Sequence, residues 1–135
     1  MLYENCLWNC TIYGQPITKK NSQRIVTNPK TKRPMILPSA QYKKYEAKAG
    51  AQIKPLAEPI STPVNVRCIY YMPNNRACDL TNLLEATHDI LVKHKVLADD
   101  NNRIIFSVDG SRVFYDKLTP RTEIFIEEVH PDEHR

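Results

Sequence analysis

The run VNVRCIYYM, residues 64–72, constrains the fold more than any other stretch of this chain. Its β-branched and aromatic side chains suit a pleated, packed surface, and Pro73 ends it, so a sheet must form part of the structure. Further extended runs stand at both ends of the sequence. LWNCTIYG (7–14) alternates large and small or polar side chains up to Gly14 and Pro16. IIFSV (104–108), SRVFYDKL (111–118) and TEIFIEEV (122–129) follow late in the chain. Asp109-Gly110 joins the first two of these and predicts a hairpin between them.

Between the extended runs lie a second hairpin pattern and two helical patterns. RIVT (24–27) and PMILP (34–38) are linked by residues 28–32, where Asn28-Pro29 supplies turn chemistry and the tip is basic. Ser39 stands at an N-cap position, and Tyr42, Tyr45, Ala49 and Ile53 recur at helical spacing, which predicts an amphipathic helix over 40–53. Pro55, Pro59 and Pro63 then form a stiff linker. A longer helix begins near Asn82, read as an N-cap with Glu85 three residues on. Its inner face is Leu83, Leu84, Thr87, Leu91 and His94, and Glu85 and Asp89 share another face. His88 reads as a solvated position and His94 as a core or boundary residue.

Because strands flank the helices instead of alternating with them, the expected class is α+β. The expectation is one domain over residues 1–135, a mixed or antiparallel sheet with two helices packed on it, and a frayed tail over 130–135. Phe106, Phe114 and Phe125 read as sheet core, Trp8 as core or dimer interface, and Tyr70 and Tyr71 as facing opposite sides of their strand. Only three glycines are present, which excludes phosphate-cradling and dinucleotide-binding glycine loops. No apolar run is long enough to span a bilayer and no cationic signal segment opens the chain, so a cytoplasmic location is expected. Cys6, Cys10, Cys68 and Cys78 have no zinc-ligand spacing and read as reduced thiols.

The net charge is only +4, but it is unevenly spread. Residues 19–54 carry Lys19, Lys20, Arg24, Lys30, Lys32, Arg33, Lys43, Lys44, Lys48 and Lys54 against one acid, Glu46. Such a block suits a polyanion, since each cation brought to a phosphate releases counterions, although a solvated basic face has the same composition. Residues 78–101 do the opposite and gather Asp79, Glu85, Asp89, Asp99 and Asp100. A helix N-terminus explains Asp79. Asp99 and Asp100 fall beyond the helix C-terminus, where the dipole disfavours carboxylates. They are either turn formers or ligands of a hard cation such as Mg2+, which assists phosphoryl chemistry.

Arg76, Asp79, Leu80, Thr81, Asn82 and Leu83, with Asp89 and the later VLADD (96–100), resemble the D-x-D-N-L and D-D signature of the RusA family of Holliday-junction resolvases. PITKKNS (16–22) is similar to that family's P-P-S-x-N segment. The resemblance covers nearly the whole chain. It implies a Mg2+-dependent (Mn2+ possible) endonuclease that acts as a homodimer on four-way DNA junctions, nicking paired strands symmetrically, in a bacterial host if the chain is phage-encoded.

Residue by residue, the resemblance makes Asp79 the first metal-binding aspartate and Asp100 the catalytic one, with Asp99 beside it. Two positions depart from the pattern. Thr81 replaces the second aspartate, and Glu85 stands where members often carry a lysine. The expected metal set is therefore Asp79, Glu85 and Asp100, with Asp89 and Asp99 in support. Lys19, Lys20, Asn21, Arg24, Lys30, Lys32, Arg33 and Arg76 are the expected DNA contacts, Arg76 as a bidentate phosphate donor. Three readings stay open at this point: an active junction resolvase, a branched-DNA binder that has lost cleavage through Thr81, and an unrelated domain whose acids only cap and turn.

Overall fold

The computed structural model describes residues 5–19 and 23–130, without the side chains of Gln23, Arg24 and Pro38. Lys20, Asn21 and the tail over 131–135 therefore lie outside the described residues. The elements follow in the order β1 (Cys6–Tyr13), β2 (Gln23–Thr27), β3 (Pro34–Pro38), α1 (Ala40–Ala51), β4 (Val64–Met72), α2 (Leu80–Lys93), β5 (Ile105–Ser107), β6 (Arg112–Tyr115) and β7 (Arg121–Glu128). A mixed sheet and two helices make one α+β domain, as expected. No described helix is long and apolar enough to cross a membrane.

β4 and β7 pair antiparallel, β7 pairs antiparallel with β1, and β2 pairs with β3 in a separate two-stranded hairpin. On the remaining edge of β4, β5 and β6 both run parallel to it, β5 beside Val64 and Asn65 and β6 beside residues 69–72. The hairpin expected at Asp109-Gly110 is therefore absent: these residues bend the chain between two strands laid along one edge. The cause is a tertiary bonding group. The buried Asn65 amide accepts from Asp109 N (2.7 Å) and Ser107 Oγ (2.6 Å) and donates to Asp109 O (3.1 Å). Gly110, at φ +83°, lies against Arg67 Cδ where a Cβ would overlap it.

Alternation along the strands separates the two sheet faces. Val64, Val66, Cys68 and Tyr70 of β4, Ile124 and Ile126 of β7, and Ile12 of β1 point to the helices, where they meet Leu83, Leu84, Ile90 and Leu91 of α2 and Ala49 of α1. Tyr70 is buried and its hydroxyl lies 2.6 Å from Thr87 Oγ1, tying β4 to α2, whereas Tyr71 is partly exposed. No described helix covers the opposite face, which corrects the expectation of an all-core set of phenylalanines. Phe106 and Phe114 are 39% and 47% exposed. Phe125 is half-buried beneath the Arg67 guanidinium at 4.2 Å. Trp8 packs partly against the core, and all four cysteines are free thiols.

Ser39 caps α1 as predicted, accepting from Tyr42 N at 3.1 Å. α1 meets α2 through a Lys93–Glu46 ion pair and through His94, whose imidazole lies over Gly50. A Cβ at position 50 would overlap that ring. Helix propensity favours alanine over glycine by about 1 kcal/mol. Here Gly50→Ala is instead expected to destabilise by about 1–3 kcal/mol through overpacking. The Gly50→Ala, His94→Ala double variant should recover most of that loss in urea unfolding.

His88 departs from the solvated reading. It is half-buried with an enclosed Nε2, and burial lowers its pKa to about 4, the neighbouring Asp89 only partly opposing. The unfolded imidazole keeps its ordinary value near 6.5 and so binds the proton first as pH falls. The stability that His88 contributes by staying neutral is accordingly unaffected above about pH 6.5 and is lost between about 6.5 and 4, by roughly 3 kcal/mol. Denaturation of His88→Gln across that range should show a flatter profile.

Candidate functional site

The acids are positioned by the two ends of α2. Asp79, not Asn82, is the N-cap, with φ −94° and ψ 111° and its side chain accepting from Thr81 N and Asn82 N. The helix thus starts earlier than the Asn82–Glu85 capping box would place it. The reason is that Asp79 Oδ1 takes the first amides at 3.0 and 3.4 Å, and the Thr81 hydroxyl adds a third bond at 2.6 Å. Thr81 therefore holds Asp79 in place. An Asp-x-Thr spacing at a helix start carries that signal in the sequence, in the form of side-chain capping chemistry.

At the other end, His94 is the C-cap and Lys95 takes the left-handed conformation at φ 66°. Val96 N and Leu97 N return to Leu91 O at 2.9 and 3.2 Å, and both side chains are buried. Ile60 in the proline-rich linker then pins the strand-like passage, accepting from Ala98 N and donating to Val96 O, each at 2.9 Å. This anchorage delivers Asp99 and Asp100 to an exposed turn. Asp99 Oδ1 accepts from Asp100 N at 2.7 Å and Asp99 Oδ2 from Asn101 Nδ2 at 3.2 Å. Asp99 is in that respect the turn former its sequence context suggested.

For Asp100 a backbone hydrogen bond only partly offsets its surroundings. Desolvation, a hydrogen bond shared with the Asp99 carboxyl, and the charge of Asp89 all push its pKa up. Asp89 and Asp99 thus lie within electrostatic reach of Asp100. Glu85 is exposed one turn before Asp89 on the same helix stripe, and Asp79 lies ten residues before Asp89, about 15 Å along the helix axis. Among the described residues, no three Asp, Glu, His or Cys side chains are gathered closely enough to enclose a metal ion. Glu85 and Asp89 share one stripe of α2, Asp99 and Asp100 stand in the turn after it, and Asp79 caps its start on another side.

A basic group reaches the acids of α2. Lys19, expected at DNA, reaches Asp89 at 3.2 Å and lies 5.9 Å over the ring of the buried Tyr42. Burial and the Glu46 and Asp89 carboxylates together push the Tyr42 hydroxyl pKa far upward. The segment leading to Lys19 lines an open cleft of about 210 Å³, in which Pro16, Ile17 and Thr18 face Gln41, Met72, Cys78 and Leu83. The chain around Pro16 thus borders the start of α2, next to Asp79. Arg76 is exposed in the preceding loop. Lys30, Lys32 and Arg33 are exposed at the β2–β3 tip, where Asn28 Oδ1 accepts from Lys30 N at 2.8 Å and Lys32 adopts φ 60°.

Of the other expected DNA contacts, Lys20, Asn21 and the Arg24 side chain fall outside the described residues. The link from Lys19 through Asp89 to Tyr42 was not legible in the sequence, because it joins three elements distant along the chain.

Comparison with curated proteins found no match. Comparison with protein-family models matches residues 14–127 to the family described as endodeoxyribonuclease RusA. That span takes in β2 to α2, both acid clusters and nearly all of β7, so the chain belongs to the RusA endodeoxyribonuclease family.

Proposed function

We propose that this protein cuts branched DNA, four-way junctions above all, in a reaction that requires Mg2+ or Mn2+ and is performed by a homodimer nicking opposed strands. One observation carries the reading: the family match spans residues 14–127 and so includes the Pro16 segment, the basic hairpin and both acid clusters at once. The donors fit a hard cation, since the acids offer carboxylate oxygens. Mg2+ commonly takes one or two protein carboxylates and completes its shell with water and phosphate, so a preformed three-ligand cage is not required.

Asp100 would hold the ion, with Asp89 and Asp99 supplying further negative charge beside it; Asp79, about 15 Å from Asp89 along the helix axis, would meet the same DNA backbone at a second point, with Glu85 between them. When bound, the ion neutralises charge developing on the phosphoryl group and lowers the pKa of the attacking water. The chain's own residues do the rest. Asp99 and Asn101 orient the turn that carries Asp100, and Thr81 fixes the Asp79 carboxylate. Lys30, Lys32, Arg33 and Arg76 seat the DNA backbone, which positions it without reading sequence.

A second reading, junction binding without cleavage, is favoured by one contact. The Thr81 hydroxyl already occupies Asp79 Oδ1, in the place where the family pattern has a second negative charge. Incubating a labelled synthetic four-way junction with Mg2+, Mn2+ or chelator, beside a linear duplex of the same sequence, separates the readings. Paired, metal-dependent nicks confined to the junction support the resolvase. Tight junction binding without nicks in either metal supports the binder.

Glu85→Gln tests the compensation for Thr81. If Glu85 replaces the missing charge, cleavage is expected to fall about tenfold or more at limiting Mg2+ and to recover in part as Mg2+ rises, a metal-affinity loss of the kind a supporting ligand produces. Undiminished cleavage at low Mg2+ would remove Glu85 from the site.

A further inference from the structure

Among the described residues the β2–β3 hairpin pairs only with itself, and its two faces differ in a way the sheet does not require. Val26 and Met35, opposite one another, are half-buried on one face together with Leu37. The opposite face presents Ile25 directly across from Ile36, 75% and 63% exposed. A solvent-facing position on a two-stranded ribbon ordinarily carries polar residues. Here two β-branched apolar side chains form a bare pair that no described residue covers.

The charge around that pair indicates what covers it. Residues 23–38 contain Arg24, Lys30, Lys32 and Arg33 and no acid, and the last three are exposed at the tip. Ile25 and Ile36 stand three residues behind the tip, about 10 Å along the ribbon. The ribbon's width suits a DNA groove. Apolar side chains of this size are the ones proteins insert between base steps, and unstacking costs least where stacking is already interrupted, as at a branch.

We propose that the hairpin is a branch-point wedge, in which Lys30, Lys32 and Arg33 grip phosphates while Ile25 and Ile36 press on base faces laid open where strands exchange. This rests on the branched-DNA reading above and adds the residues that tell a branch from a continuous duplex. The cationic tip supplies affinity common to all DNA, and the isoleucine pair supplies selectivity for structure.

The test uses four-way junctions carrying 2-aminopurine beside the branch, matched duplexes, and the full chain in chelator so that cleavage plays no part. The wild-type protein is expected to raise 2-aminopurine fluorescence at the branch. Ile25→Ser with Ile36→Ser should abolish the rise and cut the junction-over-duplex preference about tenfold or more, the burial of one isoleucine side chain forgone. Its salt slope, which counts phosphate contacts, should keep the wild-type value. Ile25→Val with Ile36→Val should retain the fluorescence rise. Lys30→Ala, Lys32→Ala and Arg33→Ala together should weaken junction and duplex alike and flatten the salt slope.

A serine variant with wild-type preference and fluorescence overturns the wedge and leaves the branched-DNA reading intact. A serine variant that sediments as a smaller species than wild type shows that a second copy covers the pair, and also overturns it. A wild-type protein that does not distinguish junction from duplex overturns the branched-DNA reading and the wedge with it.

Discussion

Asp100→Asn is expected to lower junction cleavage by more than about a hundredfold, since a metal-assisted phosphoryl transfer draws several kcal/mol from the charge its ligands hold in place. Junction binding should be kept or improved. The substitution preserves size and hydrogen-bonding shape while removing one negative charge from a turn where Asp89 and Asp99 already oppose ionisation of Asp100. A phosphate approaching the metal-free protein therefore meets less repulsion. The two readouts moving in opposite directions separate this outcome from misfolding, which would lower both. Cleavage at the wild-type rate would take Asp100 out of the mechanism.

Asp79→Asn is the companion variant. Asparagine caps a helix about as well as aspartate does, so α2 should keep its start and any loss of cleavage reports on charge. Thr81 makes this comparison informative, because its hydroxyl can donate to an amide oxygen as it does to the carboxylate.

Glu127→Ala is expected to destabilise the fold by about 3–5 kcal/mol, the range for removing one partner of a buried ion pair. Glu127 is 2% exposed on β7 and accepts from Arg67 Nε at 3.3 Å, Arg67 Nη2 at 3.2 Å and Asn65 Nδ2 at 3.2 Å. Truncation strands a guanidinium held over Phe125 and frees the amide that fixes residues 107–109. Urea unfolding monitored at Trp8 measures the loss directly. A change below about 1 kcal/mol would mean that water reaches Arg67 and repairs the pair, as it does for exposed salt bridges. Paired Arg67→Met, Glu127→Leu should cost less than Glu127→Ala alone, because it leaves no unpaired charge inside.

Features that depend on neighbours along the chain were legible from the amino acids. Ser39 caps α1, Asn28 builds the hairpin turn, residues 64–72 form β4, and the apolar face of α2 is the one periodicity marked. Each rests on bonds and packing within a few residues, so local composition carries the signal. The acid clusters were legible for the same reason, and the family match confirmed the resemblance that their spacing raised.

Tertiary structure decided the rest. Asp109-Gly110 has the chemistry of a hairpin, yet Asn65, more than forty residues away, takes up the hydrogen bonds of residues 107–109 and lays β5 and β6 along β4. The phenylalanines read as core residues, yet no described helix covers one sheet face, so two are partly exposed there and the third lies under an arginine. His88 follows a solvated period on α2 and is enclosed all the same. Asp79, Glu85, Asp89, Asp99 and Asp100 are close in sequence, but a helix spreads them at 1.5 Å per residue and only the return of the chain through Val96, Leu97 and Ile60 brings the last pair back toward Asp89. Amino-acid order determined which groups this protein can bring to a phosphate; long-range hydrogen bonds and burial, which no local window contains, determined where those groups stand.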